Sequence, residues 1–123
     1  MAFLTDRKRV VGLGTAKTGT GHFWAMTVTS VALLILTPLF LLIFAPLLGE
    51  PLETVIARLS RPVPALIMAA MLIVGFHHFR LGVTTLIEDY VQGRARKITI
   101  LAMTILSYGL MGAGLVALAQ IAL

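Results

Sequence analysis

The run Ala65-Leu66-Ile67-Met68-Ala69-Ala70-Met71-Leu72-Ile73-Val74-Gly75-Phe76-His77-His78-Phe79-Arg80-Leu81-Gly82-Val83-Thr84-Thr85-Leu86-Ile87-Glu88-Asp89-Tyr90 decides the fold and points towards the function. Its first half carries no charge and mixes large apolar side chains with small ones that permit close helix packing. Its second half places two histidines and an arginine where hydrocarbon is expected. An acidic pair and a tyrosine follow where the span should end. Ionisable groups at such depth are costly and are retained when they are paired or functional. From His78 to Asp89, at about 100° per residue, a helix returns to within roughly 20° of the same face. Gly82, one turn beyond His78, leaves that face without a side chain, so a flat ligand or another helix can come close. An imidazole, a gap and a carboxylate at the water boundary have the layout of a cofactor site read from inside a helix bundle.

Working outward, the chain of 123 residues is at most one domain by length, here residues 1–123. It is 59% hydrophobic and only 12% charged, with a mean hydropathy of +0.99, far from the soluble average. No Lys, Arg, Asp or Glu falls between Lys17 and Glu50, and none follows Lys97. Each interval exceeds the ~20 residues that cross a hydrocarbon core. The expected architecture is therefore all-α, an integral membrane protein with three transmembrane helices over about 22–48, 63–90 and 98–123. There are no cysteines, which excludes disulfides, thiolate zinc sites and cysteine-ligated iron–sulfur clusters within the chain. The formal net charge of +5 comes from basic residues flanking apolar runs, so it reads as a topology determinant facing lipid and not as a nucleic-acid surface.

The N-terminal 21 residues are polar and glycine-containing, and within them Gly12 to Gly21 reads as a flexible entry to the membrane. Gly12 to Gly21 lacks the order of a phosphate-binding loop, and the apolar run after it is too long for a signal peptide. Thr18-Gly19-Thr20 offers hydroxyls for an N-cap, and His22, Phe23 and Trp24 stand at the entrance, where amphipathic rings collect. Pro38 lies inside the first span, where a kink is expected. The first connection, Glu50 to Arg61, is charge-balanced, and Thr54–Leu59 suits a short interfacial helix. The second connection, Gln92 to Lys97, carries Arg94, Arg96 and Lys97. In the third span Gly109, Ala113 and Ala117 form a small-residue ladder suited to tight helix contact. The basic bias of the N-terminal tail (Arg7, Lys8, Arg9, Lys17) and of the second connection makes that side cytoplasmic and puts Leu123 on the outer, periplasmic side. A start at Met1 without an Arg/Ser-rich presequence favours a bacterial plasma membrane.

The pattern H-x3-G-x6-D-Y, made by His78, Gly82, Asp89 and Tyr90 on a transmembrane helix, resembles the signature of the small hydrophobic membrane-anchor subunit, D-subunit type, of succinate dehydrogenase (respiratory complex II). The resemblance implies that His78 is an axial ligand of a b-type haem and that Tyr90 hydrogen-bonds ubiquinone. It also implies a function: the chain anchors a flavoprotein subunit and an iron–sulfur subunit, and a second cytochrome b membrane subunit completes the haem-binding bundle. Electrons from succinate would then pass to ubiquinone, and the chain alone would not oxidise succinate. The family usually carries an arginine a turn or so inside the first span, near the haem propionates; here that place holds Thr27.

Residue by residue, neutral imidazole is a usual haem ligand, and a bis-histidine site needs only one from this chain. His77 lies about 100° round the helix from His78 and cannot share the iron; it reads as a packing or hydrogen-bonding residue. Tyr90 can donate to a quinone carbonyl, and Asp89 beside it can orient it or relay protons. Glu88 reads as solvated or paired with Arg94 or Lys97. Arg80, about 200° from His78, reads as snorkelling or paired between helices; service to a haem propionate in place of the missing arginine is opposed by that angle. The alternative function is a small three-helix scaffold or transporter component with His78 and Asp89 as a proton or substrate relay.

Overall fold

The structure, a computed structural model, describes residues 5–11 and 19–123. Along the described residues run α1 (Asp6–Val11), α2 (Gly19–Phe44, extended by a 3-10 turn over Ala45–Leu47), α3 (Leu52–Leu59), α4 (Pro62–Tyr90) and α5 (Gly93–Ala122). The all-α expectation holds, and three helical stretches are long and apolar enough to cross a membrane: Gly19–Leu47, Pro62–Tyr90 and Gly93–Ala122. The glycine segment up to Thr18, with Lys17 and the Thr18 cap, lies outside the described residues. Within the N-terminal tail, α1 precedes that segment, with Asp6 in its first turn complementing the helix dipole, and α2 takes in residues 19–21 from its end.

α4 is the middle helix. It packs against both α2 and α5, which have little direct contact with each other. Few described side chains are sealed in this arrangement: Leu47, Leu59, Pro64, Leu81, Ile87, Leu118 and the hydroxyl residue Ser107 are buried. Large apolar residues such as Leu34, Leu42, Leu66 and Ile98 are exposed. Burying one such side chain contributes roughly 1.5–3 kcal/mol, so these faces belong against lipid or another subunit rather than water. Three helices ordered around one middle member leave α4 open on part of its circumference, which suits a cofactor shared with a neighbouring chain.

Local chemistry explains the connections. Pro38 sits inside α2 and the helix continues through it. Gly49 adopts φ +84, the left-handed region that favours glycine, in the turn between α2 and α3. α3 follows Pro51, with Glu53 in its first turn and Arg58 in its last, both favourable to the dipole. Leu59 of α3 is buried while Leu52 and Ile56 are exposed, an amphipathic division in keeping with the expected short interfacial helix. Between α4 and α5 only Val91 and Gln92 intervene, and Gly93 at φ +66 turns the chain.

One expectation needs correction. The third span begins at Gly93, not near residue 98, so Arg94, Arg96 and Lys97 lie within α5. Long basic side chains can join a helix at the membrane edge because their stems snorkel, and Arg96 Nε donates to the Val91 carbonyl at 2.8 Å. The ladder Gly109, Ala113 and Ala117 is exposed within this chain. Close approach occurs instead at Gly114, where an added Cβ would come within 3.1 Å of the Leu72 side chain.

Candidate cofactor site at His78

α2 and α4 run antiparallel, and two hydrogen bonds between them fix the register. His78 Nδ1 lies 2.8 Å from Thr29 Oγ1, and two helical turns away His22 Nε2 lies 3.1 Å from Thr85 Oγ1. Seven residues back along α2 answer seven forward along α4, as two turns of each antiparallel helix require. His78 is half-buried. Its Nε2 has no hydrogen-bond partner among the described residues and is not sealed off by them.

Gly82, one turn on, meets nothing within 4 Å of an added Cβ. The space beside it is thus left open by this chain, as a flat ligand alongside His78 requires. No second imidazole joins His78. His22 is engaged with Thr85, and His77 faces α5, where its Nδ1 lies 3.2 Å from the Tyr108 hydroxyl. Among the described residues no group of three or more His, Cys, Asp or Glu gathers as a metal-binding cluster. The single accessible imidazole nitrogen can serve as one haem ligand, whereas the described residues alone do not enclose a metal ion.

Arg80 also turns to α5. Its guanidinium carbon stands 5.8 Å from the centroid of the Tyr108 ring, within cation–π range, and its Nε is buried without a hydrogen-bond partner. It is engaged between helices, as its angle to His78 suggested. Thr27, at the place of the family's arginine, bonds back to the Phe23 carbonyl at 2.9 Å.

The far end of the predicted site is open. Glu88, Asp89 and Tyr90 are all exposed, Tyr90 to 82%. None of the three makes a side-chain hydrogen bond or ion pair among the described residues. Asp89 does not orient Tyr90 within this chain, and Glu88 does not pair with Arg94 or Lys97. An apolar groove of about 530 Å³ lies where Phe40 of α2 meets α4 and α5, lined also by Met71, Phe76, Phe79 and Leu110. None of the predicted site residues lines it, so the groove and the His78 face are separate features. Sequence reasoning missed Thr29, Thr85 and Tyr108. Hydroxyls inside apolar spans were the available signal, but their partners needed the register.

Residues 3–111 match the family described as the succinate dehydrogenase/fumarate reductase transmembrane subunit. The chain belongs to this family. It is 45% identical over 123 residues to the succinate dehydrogenase hydrophobic membrane anchor subunit of Paracoccus denitrificans, covering 100% of this chain and 95% of that protein. No solved structure matches it. Membership in the transmembrane-subunit family agrees with the resemblance carried by residues 78–90, and with a multi-pass membrane protein of three apolar helices.

Proposed function

We propose that this anchor holds the flavoprotein and iron–sulfur subunits of a succinate:ubiquinone oxidoreductase on a bacterial plasma membrane. It contributes His78 Nε2 as one axial ligand of haem b and Tyr90 with Asp89 as part of the ubiquinone site. The second haem ligand comes from a second cytochrome b membrane subunit. The N-terminus and the α4–α5 turn face the cytoplasm, where the soluble subunits dock, and the C-terminus faces the periplasm. The observation that carries this reading is the state of His78: one ring nitrogen is bonded to Thr29, the other is unbonded and accessible, and Gly82 leaves open space beside it.

When bound, haem b would supply a one-electron carrier within the membrane. The chain's own residues do the rest. His78 would hold the group from α4 while Gly82 keeps a side chain off its edge. Tyr90 lies about 18 Å of helix rise from His78 at 1.5 Å per residue, near the membrane surface where a polar quinone headgroup settles. Its phenol donates a hydrogen bond to a quinone carbonyl. That bond strengthens as the oxygen gains negative charge on reduction, which is the differential stabilisation that catalysis needs. Asp89, exposed at the same level, exchanges protons with water. A relay running from His78 to Asp89 finds no support. The bonded pairs His78–Thr29 and His22–Thr85 are separate, and neither reaches Asp89.

The test is His78→Leu in the assembled complex. We expect loss or alteration of the b-type haem in the reduced-minus-oxidised spectrum while the chain still inserts. An unchanged haem spectrum would remove His78 as the ligand.

A further inference from the structure

Thr29 lies on the far side of the imidazole from any ligand at Nε2. Besides meeting His78 Nδ1 at 2.8 Å, its Oγ1 is placed to donate to the Ala25 carbonyl at 2.7 Å and lies 3.1 Å from the Met26 carbonyl. A threonine hydroxyl has one proton and two lone pairs. Two backbone carbonyls compete for that proton, and a carbonyl cannot donate. Once the proton points back along α2, Oγ1 can meet His78 only as an acceptor. The hydrogen on the neutral imidazole then sits on Nδ1, and Nε2 presents a bare lone pair.

We infer that Thr29 is a positioning residue for haem ligation: by accepting from Nδ1–H it selects the His78 tautomer whose Nε2 can bind iron, and it sets the plane of the ring. The inference rests on the haem reading above. Its physical ground is general: a ligating histidine is oriented, and its basicity raised, by the partner of its other ring nitrogen, and losing that partner typically weakens metal binding 10–100-fold. Thr29 does this from α2, so α2 would shape the site through the His78 ring. Little else on the chain can replace it. Thr27 bonds to the Phe23 carbonyl and Ser30 to the Met26 carbonyl, and neither meets His78.

The test uses the complete membrane complex with Thr29→Val, Thr29→Ala and Thr29→Ser. Three quantities are read: haem per membrane-bound flavin, the rate at which haem passes to added apomyoglobin, and the low-spin ferric electron paramagnetic resonance signal. That signal responds to the relative orientation of the two axial ring planes. We expect Thr29→Val, which keeps the shape and removes the hydroxyl, to speed haem loss at least about tenfold and to shift the resonance. Thr29→Ser, which keeps the hydroxyl, should restore both. If Thr29→Val matches the wild type in all three while His78→Leu loses haem, the positioning role is refuted and the ligand assignment stands. If His78→Leu keeps the haem unchanged, both fall. If Val and Ala each abolish assembly, as shown by loss of membrane-bound flavin, Thr29 serves helix packing and the inference fails.

Discussion

Tyr90→Phe separates chemistry from architecture, because the fold makes no use of the phenol. Tyr90 is the last residue of α4, is 82% exposed, and its hydroxyl has no bond among the described residues. Removing that oxygen opens no cavity and orphans no partner, so the effect on stability should stay within the about ±0.5 kcal/mol typical of surface substitutions. The ring, with its interfacial packing, remains. A hydrogen bond that strengthens on quinone reduction should contribute ~1.4 kcal/mol or more in the transition state, so succinate:quinone activity should fall tenfold or more. The assay compares two acceptors in the same membranes. Quinone reduction should drop, while succinate oxidation with an artificial acceptor at the soluble subunits should stay near wild type. The haem spectrum and the thermal midpoint of the complex should also be unchanged. Equal quinone rates in the variant and the wild type would reduce Tyr90 to an interfacial anchor. A parallel loss with both acceptors would point to assembly instead.

Other substitutions probe the remaining geometry. Tyr108→Phe removes the hydroxyl that meets His77 Nδ1 but keeps the ring under Arg80; it should destabilise the α4–α5 contact by roughly 0.6 kcal/mol, as bilayer hydrogen bonds typically do, and leave the haem spectrum alone. A haem shift in that variant would tie His77 to the cofactor and contradict the division of faces. A reporter active only in the periplasm should work when fused after Leu123 and fail when fused at Gly93. The reverse pattern would overturn the orientation drawn from the basic residues.

Much of the fold was legible because the bilayer is a severe solvent. Charge-free intervals such as 18–49 leave a chain few options other than spanning helices. That His77 and His78 face different neighbours was also legible, since adjacent residues on a helix point about 100° apart. The partners themselves were not. Thr29 and Tyr108 become neighbours of the histidines only through the antiparallel register of α2 on α4 and of α5 on α4, which one sequence does not encode locally. The start of α5 was misread for a different reason. Arg94, Arg96 and Lys97 look like a loop by charge, yet Gly93's positive φ completes the turn before them and leaves them in the helix.

α4 thus divides its polar residues into two sets, and packing makes the division. Towards α5, His77 meets the Tyr108 hydroxyl and Arg80 lies over the same ring. One tyrosine satisfies an imidazole with its oxygen and a cation with its π face, which lowers the penalty of carrying both inside a bilayer. Towards α2, Thr29 and His22 meet His78 and Thr85. What these bonds leave unengaged is His78 Nε2 and, about 15–18 Å along the helix, the exposed run Glu88, Asp89 and Tyr90. Of that run only Asp89 falls within about 20° of His78 by helical period, on the face that Gly82 opens, while Glu88 and Tyr90 flank it. A polar residue kept in hydrocarbon for packing alone would be expected in the first set, where its partner lies within the chain. Arg80 is in that set, and its place over Tyr108 argues against a propionate contact more strongly than its angle did. His78 belongs to both sets, one nitrogen held by the chain and the other open, as the proposed ligation requires.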